Sequence, residues 1–545
     1  MTTPASEPST RRAAGVVGLA VVASRLFGLV REQVFAAMFG AGKLLDVYIA
    51  AFQIPNLLRD LFAEGALSIS FTTLFTRTWD KEGEAPAWQL ANLILTAMIV
   101  LLGALCLVAV ATAPLLVEAT NFGFHNVPGK FELAVRLTRI LFPFILFVSL
   151  AAAVMGMLNA RFVFGVPASA STVFNIVSVA AGVTGAYAFD PGARANWLHP
   201  LFTERALYGV CLGVLLGGVA QLAMQLPSLL RLGFRFRWRL DLTDPRLAQL
   251  WRLMWPSLIA AAAVQVNVLV NGMFASEING GRSWLFCAFR LMQFPIGLFG
   301  VSLATATLPA VTRAFTRGDM PAFGRTAGDS LRLAWFLSLP AAVGLAVLAR
   351  PIIALIYQHG RFSAHDTDQT ALALQAYAVG LAGYAAIKVL VPCFYALGLP
   401  KTPLRISLIG IGINLGLNLL NATVLGLGHA GLALTTSLVA LINFAQLMAA
   451  LRKRVDLGTM RLWTVFIGRC LVAALICGGF AFGLDRLAET LTGDRWLRGL
   501  ALVAAIIVAA GVYFAVARAL RLEESSEAWR MLRRRLPFPR AAAGR

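Results

Sequence analysis

The chain has 545 residues, of which 59% are hydrophobic and only 13% charged, and its formal net charge is +21. A soluble domain draws about a quarter of its residues from Asp, Glu, Lys and Arg, and the long continuous apolar runs here lack the alternation of a membrane β-barrel, so the chain reads as a helical membrane protein. The basic excess lies in short loops and in the tail (Arg530, Arg533, Arg534, Arg535, Arg540); with no soluble domain to dock a duplex, it marks topology rather than nucleic-acid binding.

In chain order the apolar spans are 15–40, 44–76, 87–117, 131–159, 167–189, 205–230, 247–277, 284–315, 327–353, 369–397, 403–426, 430–452, 462–485 and 496–519. Each is long enough to cross a hydrocarbon core roughly 30 Å thick as a helix. Arg11-Arg12 before an apolar stretch has the outline of a signal peptide. The stretch runs on into Ser24-Arg25 without a convincing cleavage site, so it reads as an uncleaved first helix. About fourteen spans return both termini to one side. The loops holding Arg77 and Lys81, Arg231 to Arg246, Arg313 to Arg325, Lys401 and Arg405, and Arg452 to Arg454 then share that side with the basic tail. Stretches 186–204 and 354–368, with few basic residues, fall opposite. The bias places both termini in the cytoplasm, and a multi-pass protein in the cytoplasmic membrane is expected.

Two landmarks point to an internal repeat. Ile54-Pro55 precedes Phe75-Thr76-Arg77, and Phe294-Pro295 precedes Phe315-Thr316-Arg317, with 22 residues from Pro to Arg in each. The copies lie six spans apart, so the repeat is parallel. Leu158-Asn159 with Pro167 and Leu397-Gly398 with Pro403 follow more loosely. The expected architecture is all-α: a cytoplasmic tail at 1–14, a six-helix lobe at 15–230, a basic linker at 231–246, a second six-helix lobe at 247–453, two further helices at 454–519 and a basic tail at 520–545. Gly209, Gly213 and Gly217, and likewise Gly412 and Gly416, have the small-xxx-small spacing of helix-packing ridges.

Ionisable groups inside spans cost roughly 2.5–3.5 kcal/mol each at mid-helix, so they face a cavity or a partner. The first span carries Arg25, Arg31 and Glu32; the second carries Asp46, Arg59, Asp60 and Glu64; the eighth carries Arg290 and the tenth Lys388. Ser24, Arg25, Gly28, Arg31 and Glu32 share one helical face. Under the repeat, Arg25, Arg59 and Arg290 would form a cationic cluster facing a central cavity. Guanidinium forks suit a diphosphate or carboxylate. The structural alternative pairs Arg31 with Glu32 or Asp46, and Arg59 with Glu64. For Arg31 both readings stand; Arg59 and Arg290 read as cavity residues, and Lys388 as structural or snorkelling.

Little in the chain speaks for catalysis. Asp366-Thr367-Asp368 has the form of a D-x-D metal motif, but Ser363-Ala364-His365-Asp366 reads as a helix cap. No Walker loop is present, so transport draws on gradients. The six cysteines (Cys106, Cys211, Cys287, Cys393, Cys470, Cys477) all sit in apolar runs, and the five histidines are isolated. No metal, cofactor or enzymatic activity is expected.

Segment 24–77, S-R-L-F-G-L-V-R-E through D-V-Y-I-A-A-F-Q-I-P-N-L-L-R-D-L-F-A-E-G-A-L-S, closely resembles the MurJ (MviN) lipid II flippases of the multidrug/oligosaccharidyl-lipid/polysaccharide exporter superfamily. R-L-M-Q-F-P-I-G-L-F-G-V at 290–301 and K-V-L-V-P-C-F-Y-A at 388–396 support it. The resemblance implies two lobes around a cationic cavity and a lipid-tail groove formed by the last two helices. It places the family's essential arginines on Arg25, Arg31, Arg59 and Arg290, its acids on Glu32, Asp46 and Glu64, and a helix-5 asparagine on Asn175. Some relatives carry acids beside the helix-8 arginine where this chain has Phe289 and Gln293. A family sodium site has only vague counterparts in Asn414 and Asn418. The implied activity is outward flipping of lipid II by alternating access, with the membrane potential biasing a diphosphate-bearing substrate. Flipping of another lipid-linked oligosaccharide and cation-coupled multidrug antiport are the alternatives. Expected partners are lipid II, membrane lipids and the cell-wall synthesis machinery, around a monomer.

Overall fold

A computed structural model describes residues 10–60, 67–197, 200–241, 243–526 and 528. The regular elements among them are helices. They gather into two compact units. The first takes the chain up to Ser283 together with His359–Ser363, and the second takes Trp284–Gln358 and the chain from Ala364 onward.

The first unit holds α1 (Thr10–Phe39), α2 (Lys43–Arg59), α3 (Leu67–Glu82), α4 (Glu84–Ala111), α5 (Ala113–Asn121), α6 (Lys130–Leu141), α7 (Phe144–Ala160), α8 (Gly165–Phe189), α9 (Pro191–Ala195), α10 (Glu204–Ala223), α11 (Leu226–Arg231) and α12 (Pro245–Ala275). The glycine ridge of α10 lies against α8. A Cβ on Gly209 would sit 2.1 Å from the Gly185 carbonyl carbon, and one on Gly213 would sit 2.3 Å from the Gly182 nitrogen. Only glycine lets the two backbones approach so closely.

Residues 231–246, expected as a linker between lobes, instead run along α4. Asn92 donates to the Arg235 carbonyl at 3.1 Å and accepts from the Arg237 N–H at 2.8 Å. Helix α12, expected at the start of the second lobe, packs with the first unit as well. Beyond its end, Ser276 Oγ accepts from the Gly123 N–H at 3.1 Å, and the next turn is held by Asp46. The boundary between the units therefore falls after Ser283. His359–Ser363 joins the first unit by backbone contact. The Arg361 N–H donates to the Ala37 carbonyl at 2.8 Å, and Arg361 Nη1 donates to the Phe202 carbonyl at 2.6 Å. Gly40 and Gly360, both at positive φ, make room for this strap.

The second unit holds α13 (Gly281–Pro295, of which the first three residues pack with the first unit), α14 (Ser302–Thr316), α15 (Met320–Val347), α16 (Ala349–Tyr357), α17 (Ala364–Ala396), α18 (Lys401–Leu420), α19 (Gly428–Arg452), α20 (Met460–Leu491) and α21 (Arg495–Ala519). After Pro295, which has no N–H to give, the backbone widens into a π turn over Ile296–Val301. The core gathers Phe323, Phe336, Val389, Phe394, Cys470 and Tyr513, and the Tyr513 hydroxyl is satisfied by the Phe336 carbonyl at 2.7 Å. Gly380 lies against Ser437 of α19, whereas Gly412 and Gly416 meet nothing within 4 Å. The expected packing ridge on α18 is thus absent from its contacts.

Among the described residues, eleven helical segments are long and apolar enough to cross a membrane. The remaining expected spans, 15–40, 44–76 and 247–277, coincide with α1, with α2 and α3, and with α12, which are not among the eleven. The chain is an all-helical multi-pass membrane protein.

Candidate functional site: charges within the membrane helices

Helix α1 is pinned to α8 through Asn175. Its side-chain amide donates to the Ser24 carbonyl at 3.2 Å and to the Ser171 carbonyl at 3.0 Å, and Gly28 leaves it room. Asn175 thus fixes the turn that carries Arg25, whose own side chain is exposed. Two turns on, Arg31 is only 6% exposed. Its guanidinium stands 5.7 Å from the Phe52 ring centroid and 5.2 Å from that of Phe174, with Glu32 3.9 Å away. Aromatic faces and a loose ion pair replace the water this cation has lost.

Asp46 is fully buried and saturated. It accepts from Lys130 Nζ at 2.7 Å, from the Gly280 N–H at 2.7 Å, and from the Ser283 N–H and Oγ at 2.9 and 2.6 Å. A carboxylate with four donors inside protein needs no solvent. Lys130, also fully buried, stands 4.6 Å from the Phe124 ring centroid and donates to Asn279 at 3.2 Å. Arg282 reaches Asn121 and Gln53 beside them. Asp46 thus joins α2, α6 and the 276–283 turn.

Arg59 is half-buried at the end of α2 and is clamped by its neighbour Asp60, at 3.2 Å through Nε and 2.8 Å through Nη2. Asp60 also accepts from Gln265 of α12 at 3.5 Å. Glu64, the expected partner of Arg59, lies outside the described residues, as do the tail arginines. In the second unit, Arg290 is half-buried on α13, 5.8 Å from the Phe286 ring centroid, and Lys388 is exposed on α17. The acids of the D-x-D both have protein partners: Asp366 accepts from Trp284 Nε1 at 3.1 Å, and Asp368 pairs with Arg350 at 2.7 Å.

The chain matches the family model described as "Lipid II flippase MurJ" over residues 35–500, which takes in the charged groups from Asp46 onward and begins after Arg25, Arg31 and Glu32. The probable lipid II flippase MurJ of Vibrio cholerae is 32% identical over 512 residues, covering 92% of this chain and 94% of that protein. The lipid II flippase MurJ of Burkholderia cenocepacia is 34% identical over 504 residues, covering 90% and 93%. The chain belongs to the MurJ lipid II flippase family. A solved MurJ in an inward closed conformation shares the fold with TM-score 0.75 at 24% identity, over 92% of this chain and 99% of that one. An inward-facing multidrug resistance MATE transporter shares it more loosely, with TM-score 0.66 at 13% identity, over 79% and 96%.

For this MurJ-family chain, sequence reading found the charges and missed partners of two. Lys130 sits at the edge of an apolar run, where it looks like an ordinary loop lysine. Arg282 lies in the short turn before α13. Glu132 stands two residues from Lys130, but the contacts that Lys130 and Arg282 make to α2 and α5 span 84 to 229 residues. Lys43 stands one turn before Asp46 and is the partner that spacing suggests, yet it pairs with Glu204 at 2.6 Å, and the acid is met from far along the chain.

Proposed function

We propose that this chain flips lipid II, the undecaprenyl-diphosphate-linked peptidoglycan precursor, from the inner to the outer leaflet of the cytoplasmic membrane. The family match over 35–500 carries this reading. Arg25, Arg59 and Arg290 bind the diphosphate. Asn175 sets the α1 turn that presents Arg25, and Arg31 with Glu32 stiffens the same helix. Asp46 keeps α2 in register. The prenyl chain stays in lipid along α20 and α21, whose outer faces expose Leu462, Phe480, Leu500 and Ile507. The protein acts as a monomer with both termini in the cytoplasm and catalyses no covalent step.

Alternating access gives the cycle its direction through charge. Moving one charge through 100 mV is worth about 2.3 kcal/mol, and a diphosphate carries about two. With the cytoplasm negative, outward movement of the anion is downhill. Arginines in the spans favour an anionic cargo over the cationic drugs of a multidrug antiporter.

Reconstitution tests this. Vesicles holding the purified protein and lipid II should show protein-dependent transfer to the leaflet probed from outside. Collapsing the potential in cells while the pH gradient is kept should stop export. Undiminished export without a potential contradicts the charge-driven step.

A further inference from the structure

At one end of the second unit, α17, α18 and α19 leave a cleft of about 430 Å³. Its walls are unlike. Phe394 at the end of α17, Leu399 in the connection and Ile406 on α18 make one side apolar. Lys453 and Arg454, just past the last residue of α19, line the other, and both are exposed and carry no carboxylate partner among the described residues. Helix α19 is one of the membrane-spanning segments, ending at Arg452. The two cations therefore stand where hydrocarbon gives way to water, and the apolar wall starts beside them.

We propose that this cleft seats an anionic phospholipid. The phosphate lies between Lys453 and Arg454, and the acyl chains leave along Phe394 and Ile406. A volume of 430 Å³ is in the range of small-ligand sites and leaves room for more than a bare phosphate. The site uses none of the residues assigned to the transported diphosphate, so it is a lipid contact of the second unit that does not depend on the flipping assignment.

Full-length protein in detergent, titrated with phosphatidylglycerol, phosphatidic acid and phosphatidylcholine and read by native mass spectrometry, tests this. Phosphatidylglycerol should bind about tenfold more tightly than phosphatidylcholine, and Lys453→Gln/Arg454→Gln should lose that advantage. The exchange Lys453→Arg/Arg454→Lys should keep it, which separates charge from folding. Phosphatidic acid, which keeps the anionic phosphate without a glycerol head, should share the advantage over phosphatidylcholine. Soluble glycerol phosphate at millimolar concentration should not displace the lipid. Equal binding of phosphatidylcholine, unchanged binding to the double glutamine variant, or displacement by glycerol phosphate would overturn the proposal.

Discussion

In the first unit the membrane helices and the turns they pack against bury Arg31, Glu32, Asp46, Lys130 and Arg282. In the second, α18 and α19 bury amides and hydroxyls, Asn414, Asn418, Thr435, Thr436 and Ser437, beside His429, and the buried carboxylates Asp366 and Glu524 lie on other segments. The membrane helices and turns of the first unit thus hold cations and anions together at depths where each ion must find a partner. Helices α18 and α19 are satisfied by amide and hydroxyl contacts, as between Thr435 and Asn418 or from Ser437 to the Ala376 carbonyl at 2.7 Å. Regions of one membrane protein can therefore stay folded by different means. Ion pairs make the α2–α6 region of the first unit sensitive to loss of a single charge, whereas the contacts between α18 and α19 are less so.

The largest expected effect follows from Asp46. Replacing it by Ala leaves the buried Lys130 without a carboxylate, held only by Asn279 and the Phe124 face, and releases the 280–283 turn, a loss of about 3–5 kcal/mol. Thermal unfolding of the detergent-purified protein would read it as a drop of several degrees. Removing a neutral partner in the second unit, by Ser437→Ala, should cost about 1 kcal/mol. An equal loss from both would erase the contrast.

The glycines sharpen the comparison. Gly209→Ala drives a methyl into the Gly185 backbone and should destabilise by about 1–3 kcal/mol. Gly412→Ala meets open space and should be neutral or up to about 1 kcal/mol stabilising, since alanine is the better helix former. The same melting measurement separates them. Gly360→Ala should lie nearer Gly209→Ala, because its φ is +56° and its Cβ would stand 2.3 Å from the Ala37 carbonyl oxygen. Limited proteolysis at 359–363 would then speed up.

The smallest effect concerns acid. Burial pushes the Asp190 carboxyl up, yet hydrogen bonds from the Thr203 N–H and hydroxyl, at 2.6 and 2.8 Å, and from Ala193 and Gly192 hold it below its ordinary 3.8. A depressed carboxylate contributes its stability in full above the ordinary value and loses it as pH falls through the lowered one. Asp190→Asn should therefore flatten the decline in melting temperature below pH 4. An unchanged acid profile would show that Asp190 contributes nothing there.

How far the sequence carried these conclusions depends on the range of each contact. The α10 ridge was legible because three glycines at spacings of four define a face, and that face meets α8. The same spacing on α18 defines a face as well, but spacing names no neighbour, and Gly412 and Gly416 have none within 4 Å. Asp46 was legible as an acid in an apolar run. Its role was not, since Lys130 and Ser283 lie 84 and 237 residues away. Arg59 is clamped by the adjacent Asp60 at 2.8 Å, while Glu64, the structural alternative for it, lies outside the described residues. The 231–246 stretch looked like a linker from its charges, and Asn92 on α4 is what claims it.

The central claim is that arginines of the membrane helices carry an anionic lipid-linked head group outward. Its most direct test is the accessibility of lipid II in the outer leaflet of cells whose sole flippase is this protein, comparing wild type with Arg59→Ala and Arg290→Ala at matched protein levels. The account predicts that accessibility falls tenfold or more in both variants, the loss of roughly one charge-assisted contact. Wild-type accessibility in both would contradict it and leave the two arginines as packing residues.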